Sequence, residues 1–313
     1  MNNNLPVNDV GYRTMTMTFE LGDGCRMPAI GLGTFQIPPE DAEAATTTAL
    51  RLGYRHVDTA EFYRNEAGIG KALAASGLAR DEVYVTTKLR DSEHKTGEST
   101  IAACKQSLAN LGLDYVNLYL IHTPLSGKEA RLAQYSALVE CKELGFCRSI
   151  GVSNYDIRHL QEISDAGLPP PAANQVELHP MCQKPELLEY MKANGKILPI
   201  AYSSLAPLSC WREGYTTMGG SKSEQAKAAT PAVVATIATR LGVSEARLLL
   251  RYALQKGWPV LPKSVREDRI AANFDITSFS IPEQDMALLD GMEADSAMAF
   301  GSQGAAFDPS KTA

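Results

Sequence analysis

Four side chains of complementary acid–base chemistry mark this 313-residue chain: Asp58, Tyr63, Lys88 and His122. Lys88 closes the run Val83-Tyr-Val-Thr-Thr87, which reads as a deeply buried strand. A buried ammonium needs a partner. Asp58, at the end of the preceding strand candidate, is the available one. A charged lysine beside a phenol favours phenolate, so Lys88 is expected to lower the pKa of Tyr63. A phenol tuned in that way is a general acid usable near neutral pH. His122 follows another apolar run and brings an imidazole to the same strand ends. Singly, each residue has an ordinary explanation as a turn cap, a packed ring, a surface charge or a structural histidine. Their joint placement at the ends of three consecutive strands is what points to chemistry.

The elements that must hold these groups follow from hydrophobic patterning. Short apolar runs at Ala29–Gly33, His56–Asp58, Val83–Lys88, Val116–Ile121, Arg148–Gly151, Asn174–Glu177, Ile197–Tyr202 and Val260–Pro262 predict eight strands. Amphipathic stretches between them predict helices over Glu40–Leu52, Glu98–Leu111, Lys128–Leu144, Arg158–Ala166, Glu186–Ala193, Thr230–Leu241 and Ser244–Lys256. Many helices are expected to close on glycine: Gly77, Gly112, Gly145, Gly167, Gly195, Gly242 and Gly257. Alternating strand and helix means a parallel sheet, and eight repeats favour closure into a (β/α)8 TIM barrel. Before it, Thr16–Leu21 and Arg26–Ile30 flank Gly22-Asp23-Gly24 and predict a β-hairpin cap. Long loops at the C-terminal face are expected, above all 206–230, with another loop-like stretch from Gly291 onward. No interdomain linker is visible, so residues 16–313 read as one domain behind a disordered tail over 1–15.

Composition narrows the function. Hydrophobic residues make up 44% and charged residues 21%, enough apolar material to exclude wholesale disorder. Thirty Lys and Arg against 36 Asp and Glu give a net charge of −6, which argues against nucleic acid as a partner. The six cysteines (25, 104, 141, 147, 182 and 210) form no Cys-x-x-Cys pair. They are expected to be free, with no metal bound, in a reducing compartment. No run of 18 apolar residues predicts a membrane span, and the polar Met1–Met15 segment lacks the features of a secretory signal, so a cytoplasmic location is expected.

One segment looks built for an anion. Leu261-Pro-Lys-Ser-Val-Arg-Glu-Asp-Arg269 places Lys263, Arg266 and Arg269 within seven residues, just ahead of a helical pattern. Helix N-termini and the eighth loop of barrels bind phosphate readily. By contrast, Gly31-Leu-Gly33-Thr-Phe-Gln36 lacks the third glycine of a dinucleotide fingerprint.

Together these residues resemble the aldo-keto reductase superfamily from Gly24 to about Leu289. The resemblance rests on Met27-Pro-Ala-Ile-Gly-Leu-Gly-Thr34, Gly53-Tyr-Arg-His-Val-Asp-Thr-Ala60 with Tyr63 and Asn65-Glu66, and Leu118-Tyr-Leu-Ile-His122. It continues through Arg148-Ser-Ile-Gly-Val-Ser-Asn154, Asn174-Gln-Val-Glu-Leu-His-Pro180, and Leu261-Pro-Lys-Ser264 with Arg269 and Asn273. The resemblance implies NADPH-dependent reduction of aldehydes and activated ketones. Tyr63 would be the proton donor, Lys88 and Asp58 its tuning pair, and His122 the group that orients the carbonyl. It implies nicotinamide carboxamide contacts from Ser153, Asn154 and Gln175, and ring stacking from Tyr202. A pyrophosphate strap would come from Ser203, Leu205 and the following loop, and the adenosine 2′-phosphate and adenine end from Lys263, Ser264, Val265, Arg269 and Asn273. Gly33, Thr34 and Asp58 complete the implied cofactor set, and Phe35, Phe62, Arg90, His122, Thr123 and Trp211 the substrate set, with a surface salt bridge the equal alternative for Arg90.

Some positions depart from the family pattern. Phe35, Arg90 and Thr123 stand where relatives often carry tryptophan, and Ala272 where an acid often meets adenine. Glu177 and His179 belong to a family motif but are taken as structural. The expected partner is a small carbonyl compound, and the expected state a monomer or weak homodimer. An NADPH-binding regulatory subunit of the same fold with little turnover is the alternative; the intact four-residue set argues against it. A barrel glycosidase would need paired acids at strand ends, and Glu177 has no obvious mate.

Overall fold

The computed structural model describes residues 17–209, 231–295 and 297. The N-terminal tail, Cys210, Trp211 and most of the 206–230 loop therefore lie outside the described residues, as does most of the segment after Gly291. A hairpin opens the fold, β1 (Thr18–Glu20) antiparallel to β2 (Arg26–Pro28). Then come β3 (Leu32–Gly33), α1 (Pro39–Arg51), β4 (His56–Asp58), α2 (Glu66–Ala75), β5 (Tyr84–Leu89), α3 (Gly97–Leu111) and β6 (Val116–Ile121). These are followed by α4 (Lys128–Glu143), β7 (Cys147–Ser153), α5 (Ile157–Asp165), β8 (Ala173–Glu177), α6 (Pro185–Ala193), β9 (Leu198–Tyr202) and the single turn α7 (Ala206–Ser209). The described chain ends with α8 (Pro231–Leu241), α9 (Glu245–Gln255), α10 (Glu267–Phe274) and α11 (Glu283–Asp290).

Strands β3 to β9 form one parallel sheet in sequence order. The expected eighth strand is the correction: Val260 makes only isolated parallel bridges, to Ile30 on one side and Ala201 on the other. Pro259 and Pro262 flank it and have no N–H to give a ladder, so a regular strand cannot extend there. Closure comes instead from single hydrogen bonds, Gly31 N to Val260 O (2.9 Å), Gly33 N to Pro262 O (3.0 Å) and Ala201 N to Pro259 O (2.8 Å). The ring of strands thus closes as a (β/α)8 barrel with a pinched seam.

The two-residue period of the strands sorts the core into two layers. Leu118 and Leu120 of β6 share an inner cluster with Tyr84, Ile200 and Leu261, and the hairpin adds Leu21 and Met27 to it. The hairpin thereby plugs the barrel floor, held by Gly22 N to Ala172 O at 2.9 Å. Tyr119 and Ile121, one residue out of phase, join the outer cluster shared with helix residues such as Ile69, Leu108 and Leu138. Helix α3 shows how local chemistry sets its ends. Thr96 caps its start by accepting from Ser99 N, and Gly112 ends it in the left-handed conformation at φ +64°.

Helix α2 has no counterpart among the predicted helices, because Gly68 and Gly70 dilute its pattern. Gly70 is required by close packing: a Cβ there would lie 2.5 Å from Leu111 O. The five described cysteines are free, as expected, and four of them are buried.

The seam gives a stability test. A Cβ on Gly33 would meet Leu261 O at 2.5 Å, backbone against backbone, so neither side can yield cheaply. Gly33→Val is expected to destabilise the barrel by about 1–3 kcal/mol, as overpacking does, and urea unfolding against wild type checks this.

Candidate active site

The C-terminal ends of β4, β5 and β6 bring the four residues together. Asp58 ends β4, in register with Gly33 on one side and Thr86 on the other. Lys88, fully buried in β5, reaches Asp58 Oδ1 with its ammonium at 2.5 Å. The same ammonium donates to Thr59 O at 2.9 Å and lies 3.4 Å from the Tyr63 hydroxyl. Tyr63 sits in a short 3-10 turn over Glu61–Tyr63, and its hydroxyl is 3.4 Å from His122 Nε2. A chain of acid, ammonium, phenol and imidazole therefore ends at the barrel mouth.

Electrostatics sharpen the assignments and correct one of them. Burial alone would depress the Lys88 ammonium, but Asp58, with Tyr63 behind it, holds its pKa above the ordinary lysine value. For Tyr63 the expected lowering does not prevail. Burial raises its pKa, Asp58 adds to the rise, and the downward pull of Lys88 is outweighed. His122 is pushed down to about 3, by burial first and by Lys88 second, so its imidazole is neutral at physiological pH.

A second layer fixes these groups. Gln175 of β8 donates to Asp58 Oδ2 at 2.8 Å, across the barrel from Lys88. Thr34 donates from both its amide and its hydroxyl to Asp58 O, at 3.0 and 2.9 Å. Asn154 Nδ2 donates to His122 O (3.0 Å) and Ser153 Oγ (3.1 Å), while Tyr202 donates to Asn154 Oδ1 at 2.6 Å. Ser153 Oγ donates to Gln175 O at 2.8 Å. Asn154 (φ +63°) and Ser203 (φ +52°) adopt left-handed backbone where β7 and β9 end, a strained geometry that concentrates at functional sites. Leu205 lies half-buried against the main core.

Residues expected to line the substrate pocket divide in two. Phe35 and Phe62 are exposed rings at the mouth, 5.1 Å from the Tyr63 ring and 6.2 Å from the His122 ring between centroids. Arg90 lies over the Phe62 ring at 5.1 Å and is paired with Glu93 at 2.7 Å. Thr123 is buried, and its hydroxyl is given to Asp91 at 2.8 Å. Trp211 lies outside the described residues.

The rim carries a network that the sequence did not disclose. Glu61 accepts from Arg90 N (2.9 Å) and meets His94 Nε2 at 2.8 Å, tying the Tyr63 turn to the segment after β5. These are contacts between different loops, and nothing in residue spacing signals them.

At the other end of the mouth, Ser264 is buried, and Asn273 is buried on α10. Lys263, Val265 and Arg269 are exposed. Arg266 is held by Asp268 at 2.6 Å and Glu267 by Arg51 at 2.7 Å. Among the described residues neither the Lys263 nor the Arg269 side chain makes a hydrogen bond or ion pair.

The aldo/keto reductase family model matches residues 29–294, so the chain belongs to that family. It is 41% identical over 273 residues to an aldo-keto reductase of Mycobacterium sp. (strain KMS), covering 87% of this chain and 92% of the relative. It is 36% identical over 274 residues to methylglyoxal reductase DkgA of Yersinia pestis, covering 87% and 91%. A solved Bombyx mori aldo-keto reductase in complex with NADP superposes with a TM-score of 0.79 at 29% identity, covering 90% of this chain and 94% of that one. The chain is thus an oxidoreductase of a family that acts on small carbonyl compounds with a nicotinamide cofactor. No helix among the described residues is long and apolar enough to cross a membrane.

The buried pair and two buried histidines yield three expectations. Asp58→Asn strands the Lys88 ammonium and should cost about 3–5 kcal/mol of stability, read by denaturant unfolding at pH 7. The raised Lys88 pKa means the pair's stabilisation is complete at neutral pH and is lost only as pH climbs through the folded-state value, above the ordinary lysine range. His122 and His56 are both depressed to about 3, by burial first. Between about pH 6.5 and 3 the unfolded chain binds more protons at these two positions. The fold should therefore lose stability as pH falls through that window, and unfolding midpoints measured from pH 7 to 4 should decline.

Proposed function

We propose that this protein reduces small aldehydes and activated ketones to alcohols with NADPH, and that Tyr63 supplies the proton. The observation that carries the reading is the Asp58–Lys88–Tyr63–His122 chain, with its 2.5 Å ion pair and two 3.4 Å approaches to the phenol. The raised pKa keeps Tyr63 protonated at neutral pH, so the acid is loaded before the carbonyl arrives. As the proton leaves for the carbonyl oxygen, negative charge develops on the phenol oxygen beside the Lys88 ammonium. A fixed cation at the point of charge development stabilises the transition state more than the ground state. Neutral His122 donates one hydrogen bond to orient the carbonyl and carries no competing charge.

The residues at the mouth fit a nicotinamide dinucleotide. When bound, the nicotinamide would supply the hydride, and the chain supplies position and electrostatics. Ser153, Asn154 and Gln175, already locked to one another, would receive the carboxamide end, beside Tyr202. Gly33, Thr34, Ser203 and Leu205 would border the dinucleotide. Lys263, Ser264, Val265, Arg269 and Asn273 would take the adenosine end, with the two unpaired cations on the 2′-phosphate. Phe35 and Phe62 offer apolar walls to the substrate. The resemblance to a methylglyoxal reductase supports activated carbonyls as the substrate class.

Two measurements test this. Tyr63→Phe should keep NADPH affinity and lower turnover by about 100-fold or more, the usual worth of a general acid; a Phe variant with more than half the wild-type rate would remove Tyr63 from the mechanism. NADPH should bind more tightly than NADH by about 2–4 kcal/mol, roughly 30- to 1000-fold, from two charge-assisted contacts. The preference should weaken as salt rises. Fluorescence titration of wild type, Lys263→Ala and Arg269→Ala checks it: each variant should lose NADPH affinity and leave NADH nearly unchanged. Equal wild-type affinities would contradict the assignment of the 263–269 segment.

A further inference from the structure

We propose that Asp91 is a positioning residue for carbonyl reduction, fixing through Thr123 the backbone that carries His122. The inference rests on the reductase reading above. Asp91 lies two residues beyond β5, and it is buried. Its Oδ1 accepts from Thr123 N at 3.0 Å and its Oδ2 from the Thr123 hydroxyl at 2.8 Å. Thr123 is the residue next to His122. Asp91 is itself held in place: Gln134 of α4 donates to Asp91 O (2.9 Å) and His94 O (2.7 Å), and Ser126 donates to Gln134 Oε1 at 2.9 Å. On its other side His122 receives Asn154 Nδ2 at its carbonyl (3.0 Å) and gives its own amide to Leu89 O (3.2 Å). The backbone that carries the imidazole is therefore clamped between β5 and the residue after β7, and Asp91 is the carboxylate in the clamp.

The charge on Asp91 has no cation to offset it among the described residues. Arg131 of α4 is committed to Glu162 of α5 at 2.9 Å, with a further bond to Pro124 O. On the segment after β5 itself, Arg90 is paired with Glu93, and His94 with Glu61 of the Tyr63 turn. Tyr155, after β7, contributes an un-ionised phenol, and His122 is neutral. A buried carboxylate without a counter-ion costs desolvation. What it offers in return is two acceptor oxygens for two donors of one residue, which an amide side chain lacks. Burial accordingly pushes Asp91 up to about 6, while the Thr123 hydroxyl and amide pull it down. Above that pH both bonds stand. Below it, the added proton turns one oxygen into a donor, and the bond to the Thr123 hydroxyl must reverse or break.

The test is steady-state kinetics with NADPH and a generic aldehyde, from pH 5 to 8, on wild type, Asp91→Asn, Thr123→Val and the double variant. Asp91→Asn should lower kcat roughly tenfold at pH 7.5, the scale of a sub-ångström misplacement, with the KM for NADPH within about twofold. Wild-type kcat should fall on the acid side with a midpoint near 6, and Asp91→Asn should lack that limb. Thr123→Val removes a bond that favours the carboxylate and should move the limb to higher pH; it carries the test if Asp91→Asn does not fold. The double variant should be no slower than Asp91→Asn, since both act on one contact. An active wild type with an unchanged kcat in Asp91→Asn, or an acid limb that neither variant alters, would overturn the positioning role alone. A wild type inert toward every aldehyde would overturn the reductase reading with it.

Discussion

The buried contact between Lys88 and Asp58 is the constraint on which the mouth of this barrel depends. An ammonium sits near the C-terminal end of a parallel strand, where water cannot reach it. It stays charged because a carboxylate from the adjoining strand lies at 2.5 Å and a backbone carbonyl at 2.9 Å. Such a pair is a weak source of net stability, because desolvation consumes most of the attraction. Its value is positional. The register of β4 against β5 fixes where the ammonium ends, and the turn after β4 fixes where the phenol meets it. Gln175 and Thr34 hold the other atoms of Asp58, so three strands and the residue after a fourth contribute to one charge.

Burial acts on the three titratable partners in opposite senses. It lifts Tyr63, depresses His122, and would depress Lys88 but for Asp58. The outcome at neutral pH is a protonated phenol, a neutral imidazole and a charged amine. Those are the states a proton donor, a hydrogen-bonding guide and an electrostatic stabiliser need. The simple expectation that the lysine lowers the phenol pKa overlooked desolvation, which is set by how deeply the turn seats and cannot be read from neighbouring residue types. In the mechanism proposed above, Lys88 instead acts on the ionised phenol, and so on the transition state.

Much of the architecture was legible because it follows from local rules. Short apolar runs such as Val116–Ile121 and the Thr96 to Gly112 helix bounded by cap residues carry their own signals. The convergence of Asp58, Tyr63, Lys88 and His122 also followed, since strand ends of a parallel barrel share one face. What was hidden depends on non-local packing. Two prolines reduced the eighth strand to bridges at Val260. Two glycines, one needed for the approach of Leu111, obscured α2. The hold of Asp91 on Thr123 and the engagement of Arg90 by Glu93 and Phe62 were equally hidden. Each of these involves a loop choosing among several polar partners, and the sequence does not rank them.

Lys88 works against burial in setting the affinity of Tyr63 for its proton. The most direct measurement is NMR titration of 13C-tyrosine-labelled protein, with the Tyr63 resonance assigned by Tyr63→Phe. In the wild type Tyr63 should titrate above the ordinary tyrosine range, and Lys88→Met should move it higher still. A wild-type Tyr63 that titrates below that range, or one that does not move when the lysine is removed, would contradict the account.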